Sequence, residues 1–396
     1  MANIAFLLNQ FPSGGVERVT MNLIPHLTRD KGHKIFIFVN QLNKEYLEDI
    51  DLDVTYIFIP YEAWDKKNEN AILNGIQEHN IELLFVPVIC PNYIFKIKEL
   101  DICKICFVSH STPFYELKEF ENRVRKWKQL NDGLKNFFRK YFIATPKLKL
   151  GYYDIKFKQR YKKRYNKLDA FGVLNDHYGK KIAQKIGVNY SKSKFFTLPN
   201  PILQIANTDE IANTKREKRI LFIGRLTYMD KRVDRLLDIW RRIHNKFPEW
   251  SLTIIGEGPE KEYLQKYVED HNIQQIEFID YTSTPQHFYQ KSEILCLTSD
   301  FEGCPMVLLE AQQYGCATIA FDCSYGVRDI LSPNWENGAY VPNGDIDGYA
   351  KALSKLISDD ELRHKIQKNG IENVKRFSIE RSVEQYEALI QKLCTK

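Results

Sequence analysis

No stretch of the 396 residues approaches the ~20 consecutive apolar residues that a membrane-spanning helix needs. The pattern G-x-G-x-x-G is also missing, so the chain has no dinucleotide-binding fingerprint. Eight cysteines are scattered through apolar stretches, as expected of buried thiols in a reducing cytoplasm. Cys103 and Cys106 form a single C-x-x-C within what reads as a strand. Positions three apart on a strand face opposite sides, and no second ligand pair follows, which argues against a zinc or redox site. The first eleven residues have no basic start and no small-residue cleavage site, and they lead into a Gly-rich loop. They read as a first strand rather than a signal peptide, and a cytoplasmic protein is expected.

What is present is ordinary for a globular chain: 43% hydrophobic and 27% charged residues, with a length that suits two or three domains. The charge is unevenly placed. Residues 118–167 hold 17 basic and 4 acidic residues, a net +13, so the rest of the chain is net −7 against an overall +6. Aromatics are interleaved there: Phe120, Trp127, Phe137, Phe138, Tyr141, Phe142, Tyr152, Tyr153, Phe157, Tyr161 and Tyr165. Cations with interfacial rings suit an anionic membrane surface, and peripheral membrane association is expected. A helical hairpin with its aromatics in the core would show the same composition. Nucleic acid binding through phosphates and stacking is the least favoured reading, and no nucleic acid partner is expected.

Strand-length apolar runs occur at 4–8, 35–39, 54–59, 83–86, 105–108 and 171–174, with a helical pattern at 16–28. The series stops at Pro199-Asn200-Pro201, and 204–218 is polar and linker-like. A second series then runs through strands at 220–223, 252–255, 276–279, 294–297 and 317–320, with helices at 233–244 and 260–270. Two alternations of this kind imply an α/β protein of two doubly wound, Rossmann-like domains facing a central cleft. The expected division is 1–200 and 201–377, with 118–167 in the first domain. Ligands of such sheets bind beyond the carboxyl ends of the strands.

The stretch Phe301-Glu302-Gly303-Cys304-Pro305-Met306-Val307-Leu308-Leu309-Glu310 sets two carboxylates eight positions apart around a Gly and a Pro. Pro305 suits a first helical turn, so a helix is expected from Met306 onward. Glu302 then lies in the entering loop and Glu310 little more than a turn in. The helix entry at Gly303, Cys304, Pro305, Met306 and Val307 offers amides to an anion. A ligand with a hydroxylated ring, a diphosphate and a second hydroxylated ring meets all three features, and nucleotide sugars have that layout. An acidic loop before an ordinary amphipathic helix would also leave this pattern.

Four further segments carry chemistry. Gly224-Arg225-Leu226 ends the first strand of the second series, with Lys231 six residues on, and two cations there can neutralise a leaving diphosphate. Gly14 and Gly15 stand at the first strand-to-helix junction, where the backbone can approach a phosphate or a sugar. His110 follows the strand ending at Val108. The turn Gly256-Glu257-Gly258-Pro259 follows the strand at 252–255, and Ile279 ends the next.

The Glu302–Glu310 stretch resembles the E-x7-E motif of the retaining glycosyltransferases of family 4, which have the GT-B fold. Gly224, Arg225 and Lys231 are similar to that family's diphosphate-binding group, and Gly14 and Gly15 to its GG loop. The resemblance implies that Glu310 holds the donor ribose and that Glu302 acts on the donor sugar. It also places Gly256 and Ile279 beside the nucleotide, and gives His110 a role at the donor sugar or the acceptor hydroxyl. It implies transfer with retention from a UDP-sugar, with no cofactor and no metal. Asp345-Ile346-Asp347 matches the metal-binding D-x-D pattern of another transferase class, but these aspartates precede a helical pattern at 349–357 and read as a helix start. Asn337-Gly338-Ala339-Tyr340-Val341-Pro342 resembles a structural turn of the family. Phe321-Asp322-Cys323-Ser324-Tyr325-Gly326 resembles the subgroup that builds bacterial surface polysaccharides, which implies a glycan acceptor, and the basic aromatic segment 118–167 suits a lipid-linked glycan acceptor at the inner face of the plasma membrane. After about residue 377 the chain is expected to cross back, its last helix at 379–392 packing on the first domain. The rival from another class is a non-catalytic nucleotide-sugar or nucleic-acid binding protein.

Overall fold

The computed structural model describes residues 1–12, 14–43, 47, 52–87, 89–129, 145–202 and 215–394. Ser13, the aromatics at 137–142, most of the expected linker and the side chain of Trp127 lie outside the described residues.

The chain forms two compact units. In the first, seven strands make one sheet: β1 (Asn3–Phe11), β2 (Lys34–Leu42), β3 (Val54–Phe58), β4 (Leu83–Pro87), β5 (Lys104–Ser109), β6 (Ala170–Val173) and β7 (Phe195–Thr197). All its pairings are parallel, in the order β3-β2-β1-β4-β5-β6-β7. Parallel strands are covered by helices on both faces, which explains why β1 and β4 read as unbroken apolar runs. Ile4 through Leu8 and Leu83 through Val86 are all buried. The short β7 carries only three residues and has no legible run of its own.

The last helix, Ile379–Cys394, belongs to this unit, as expected. Its apolar positions Ile379, Val383, Tyr386, Leu389 and Ile390 recur at helical spacing and join the core of β1, β2 and β4. The Tyr386 ring lies 5.5 Å from that of Phe85. At its edge His33 accepts the Ala2 amide at Nδ1 and donates from Nε2 to Glu387 at 2.7 Å.

The second unit is a six-stranded parallel sheet: β8 (Glu217–Ile223), β9 (Ser251–Ile255), β10 (Ile276–Ile279), β11 (Ser292–Leu297), β12 (Ala317–Asp322) and β13 (Ala339–Pro342). Its order is β10-β9-β8-β11-β12-β13. The expected late turn at 337–342 is thus mostly an edge strand, and β8 starts three residues earlier than its apolar run because its first residues are polar and exposed.

The basic segment is divided. Among the described residues, 114–129 and 145–155 group with the second unit and 156–167 with the first, so the expected placing of all of 118–167 in the first domain does not hold for them. The helix Tyr115–Gln129 packs through Asn122, fully buried, whose Nδ2 donates to the Met229 carbonyl at 2.8 Å. Lys126 pairs with Glu260, and the ring of Tyr115 lies 6.1 Å from that of Phe301. Sequence separation of more than 100 residues hides these contacts. In the helix Tyr152–Lys167, Phe157 and Tyr161 are buried, so these aromatics serve the core.

Candidate functional site

Strand order reverses between β8 and β11 in the second unit, and the loops leaving their carboxyl ends carry Arg225, Lys231 and Glu302. Such a switch point is where open α/β sheets leave a crevice for ligands.

The first loop is built on close backbone approach. Gly224 donates to the Ile255 carbonyl at 3.0 Å, and Leu226 to that of Glu257 at 2.8 Å. A Cβ on Gly256, at φ 145°, would overlap the Gly224 carbonyl. Gly256 is therefore required by packing, since any side chain would push the loops after β8 and β9 apart. Gly256 also donates to Ile279 at 3.0 Å, which ties Ile279 to the same turn.

Glu302 accepts from Lys231 Nζ and from Ser299 Oγ, each at 2.7 Å and both at Oε1. Burial opposes the Lys231 charge, but Glu302 and Asp230 outweigh it and raise its pKa, so the ammonium stays protonated. Arg225 is largely exposed and pairs with Asp230 at 2.8 Å. Both expected cations thus stand on one loop, Lys231 held against Glu302 and Arg225 at the surface.

Two residues before Glu302, Asp300 is buried with its carboxylate between Arg232 at 3.1 Å and Arg235 at 2.8 Å. Arg125 reaches to 3.9 Å. Burial raises the Asp300 pKa, yet Arg235, Arg232 and Lys118 outweigh it and hold the carboxyl below its usual range. Asp300 also donates its amide to Asp230 at 2.8 Å, locking the two site loops together.

The helix expected after Pro305 spans Met306–Gln313, and no side chain caps its start. Gly303 and Pro305 are buried, while Cys304, Met306 and Val307 are partly buried at this entry. Burial pushes the Cys304 thiol up to about 12, so it is neutral. Glu310 accepts from the hydroxyl of buried Tyr289 at 2.7 Å. Arg216 holds the backbone beneath it, donating to the carbonyls of Ser292 at 2.6 Å and Tyr314 at 2.5 Å. The helix is fixed from behind by Gln312, which donates to the Asn337 carbonyl at 2.7 Å and accepts from Asn373 at 3.0 Å.

Asp345 caps the helix Ile346–Ser358 by accepting from Gly348 at 2.9 Å, and Asp347 pairs with Arg242. The aspartates of the D-x-D pattern are thus occupied by capping and pairing. Among the described residues no group of three or more His, Cys, Asp or Glu is placed to hold a metal ion.

The remaining expected residues belong to the first unit. Gly14 precedes the helix Gly15–Pro25 at φ 119°, with the Glu17 carboxylate filling the space a Cβ would need. Burial raises the Glu17 pKa, partly offset by a backbone hydrogen bond. Gly15 has open space around it. His110 Nδ1 lies 3.0 Å from Asn200 Oδ1, so with the amide placed this way Nδ1 carries the proton and Nε2 is the acceptor. Burial drives the His110 pKa down to about 4 against the opposing Asn200 bond, leaving a neutral imidazole at neutral pH.

Sequence reasoning missed Ser299, Asp300, Tyr289, Arg216 and Asn200. Only Asn200 had a local signal, an amide between two prolines. The others are joined to the site by sequence separations that no local pattern reports, or by a strand-end position whose burial is tertiary.

Residues 205–373 match the family model described as glycosyl transferases group 1. Over 205 residues the chain is 31% identical to an uncharacterized glycosyltransferase of Haemophilus influenzae, covering 50% of this chain and 57% of that protein. It is 35% identical over 158 residues to the lipopolysaccharide 1,6-galactosyltransferase of Salmonella typhimurium, covering 38% of this chain and 43% of that protein. The chain thus spans about half the length of the curated relatives it matches. Its structure is similar to that of the pneumococcal O-GlcNAc transferase GtfA, solved with UDP and GlcNAc, with a TM-score of 0.73 at 13% identity over 100% of this chain and 99% of that one. At that identity the likeness is one of fold, and the fold is GT-B.

Proposed function

We propose that this chain is a retaining glycosyltransferase of family 4 type, moving a hexose or N-acetylhexosamine from a UDP-sugar to a lipid-linked glycan of the bacterial surface. The observation that carries the reading is the convergence at the switch point. Glu302 is fixed by Lys231 and Ser299, the helix entry of Met306–Gln313 is uncapped, and Glu310 is oriented by Tyr289. The relative named for lipopolysaccharide galactosyl transfer supports the class of acceptor, and the neighbour solved with UDP supports the donor.

In this reading Glu310 accepts hydrogen bonds from the ribose hydroxyls while Tyr289 holds its second oxygen. The donor diphosphate lies against the helix entry with Arg225 and Lys231, which supply the positive charge that a metal provides elsewhere. Gly256 and Ile279 bound the nucleotide side, and Gly14 and Gly15 let the backbone approach donor or acceptor. The C1–O bond to the diphosphate breaks and the acceptor oxygen bonds C1 on the same face. The acceptor proton passes to the leaving phosphate oxygen. Glu302 binds a hydroxyl of the donor sugar and stabilises the cationic ring. His110, neutral with Nε2 as acceptor, contacts the donor sugar or the acceptor hydroxyl.

The test is incubation of the purified chain with UDP-, GDP- and ADP-sugars without metal, following release of nucleoside diphosphate. Release from a UDP-sugar is expected, lost with Glu310→Ala through weakened donor binding. Release from no donor, together with no thermal stabilisation by any of the three diphosphates, would return the chain to the class of non-catalytic binding proteins.

Peripheral association with the cytoplasmic face of the membrane is part of the proposal, and exposed apolar residues beside lysines support it. Leu150, Ile155 and Tyr152 are 81%, 55% and 47% exposed beside Lys147 and Lys149. Sedimentation with anionic vesicles is expected, weakened by salt and by Leu150→Ser with Ile155→Ser. Binding indifferent to both would remove the membrane from the reading.

A further inference from the structure

At the carboxyl edge of the seven-stranded sheet lies a cavity of about 270 Å³ that the donor chemistry leaves unused. It adjoins the loop after β4, the strand paired with β1 where this sheet's order reverses, so it occupies a switch-point position of its own.

One wall is cationic. Arg160, Lys163 and Arg164 stand at i, i+3 and i+4 of the helix Tyr152–Lys167 and all line the cavity. No Asp or Glu lines it among the described residues. Cys90 does not supply a negative charge either, because burial pushes its thiol up to about 11 despite Arg164 and Lys163 nearby.

Arg164 is the informative member. It is only 4% exposed, stacked 4.3 Å above Phe107 and 5.3 Å from Tyr161. Its enclosed Nε has no hydrogen-bond partner, and no carboxylate lines the cavity beside it among the described residues. A guanidinium cannot shed its proton, so a buried one without a counter-charge calls for an anion. The cavity it lines is the place such an anion can occupy. Lys163 is held ready there, 3.4 Å from Asn92 Oδ1 and 4.1 Å from the Phe95 ring centre. Asn92 begins the helix Asn92–Glu99, and Asn92 and Phe95 of that helix line the same cavity. On the open side Trp64 and Ile89, 45% and 46% exposed, give an apolar rim.

We infer that this cavity binds the phosphoryl group of the glycosyl acceptor, with Arg164 and Lys163 on its oxygens and Trp64 and Ile89 against the adjoining organic portion. Planar guanidinium recognition of phosphate, a small volume and an apolar rim all fit an ester or diester of phosphate. That the phosphoryl group is the acceptor's rests on the proposed transferase function, while the site itself rests on Arg164 and the cavity.

The experiment is calorimetric titration of the whole chain with phenyl phosphate, geranyl diphosphate and glycerol 3-phosphate, and with benzyl alcohol as the uncharged probe. At least one phosphate ester is expected to bind at one site. The affinity should fall ten-fold or more in Arg160→Glu with Lys163→Glu, two changes on a solvent-facing wall, and several-fold in Arg164→Lys. It should be unchanged in Lys231→Ala, which reports on the donor site. Preference for geranyl diphosphate would identify a lipid-linked source, and preference for glycerol 3-phosphate a polyol phosphate. Absence of ester binding, equal binding in the charge-reversed variant, loss through Lys231→Ala, or equal binding of benzyl alcohol would each overturn the inference. Ester binding with neither donor turnover nor stabilisation by any nucleoside diphosphate would keep the site and sink the transferase reading, and turnover without ester binding would do the reverse.

Discussion

Glu302→Gln is expected to lower turnover by about 10²–10³-fold with little change in donor affinity, because the carboxylate is assigned to the charge that develops in the transition state. The environment supports a functional assignment over a merely structural one. Glu302 is largely sheltered, held from one side by Lys231 and Ser299, both at Oε1. A pair of that kind fixes the carboxylate before substrate arrives, and preorganisation is what makes such groups effective. Lys231→Ala should cost a similar factor and should also raise the donor KM, since the same ammonium is assigned to the leaving diphosphate. The two variants can be told apart by product inhibition: UDP should inhibit Glu302→Gln as it does the native chain and Lys231→Ala more weakly. The assignment fails if Glu302→Gln, folded and melting normally, keeps more than a third of native turnover at saturating donor.

Asp300→Ala should produce the largest loss of stability among single substitutions at the site. Its side chain is 1% exposed and faces Arg232 and Arg235, at 9% and 12%. Removing one partner of a buried ion pair leaves uncompensated charge and costs about 3–5 kcal/mol. At about 2–4 °C per kcal/mol for a unit of this size, the melting midpoint should drop by roughly 10 °C. The folded-state pKa of Asp300 is depressed, so its contribution is present above the ordinary carboxylate range and lost as pH falls through the folded value. Native and variant melting should therefore converge in acid. A variant that melts within 2 °C of the native chain at neutral pH, by a threshold of about 1 kcal/mol, would show that Arg232 is satisfied by Asp234 without Asp300.

Much of the fold was legible because parallel strands buried on both faces print continuous apolar runs. Ile4-Ala5-Phe6-Leu7-Leu8 and Leu83-Leu84-Phe85-Val86 could be read directly. The helix Met306–Gln313 was legible from Pro305, and the last helix from its apolar spacing. The basic segment misled because composition does not report direction. Phe157, Tyr161 and Arg164 face inward, whereas Leu150 and Ile155, which carry no charge signal, face out. The helix Tyr115–Gln129 packs in the second unit through Asn122 and Lys126, a choice made by contacts more than 100 residues away.

By itself the sequence determined two α/β series, the loop and helix that hold Glu302 and Glu310, and the glycines and cations of 224–231. Local periodicity, turn chemistry and short-range spacing suffice for all of these. Only the tertiary structure decided the order of the strands, and with it the neighbours β8 and β11 that bring Lys231 to Glu302 across 71 positions. It also decided that Tyr289 would hold Glu310, that two arginines would enclose Asp300, and that Arg164 would be buried beside a cavity that no carboxylate lines among the described residues. The physical reason is the same in each case. Hydrogen bonds and ion pairs act over a few ångströms of space, and the distance between two side chains in space is set by chain crossovers that leave no mark on the residues between them.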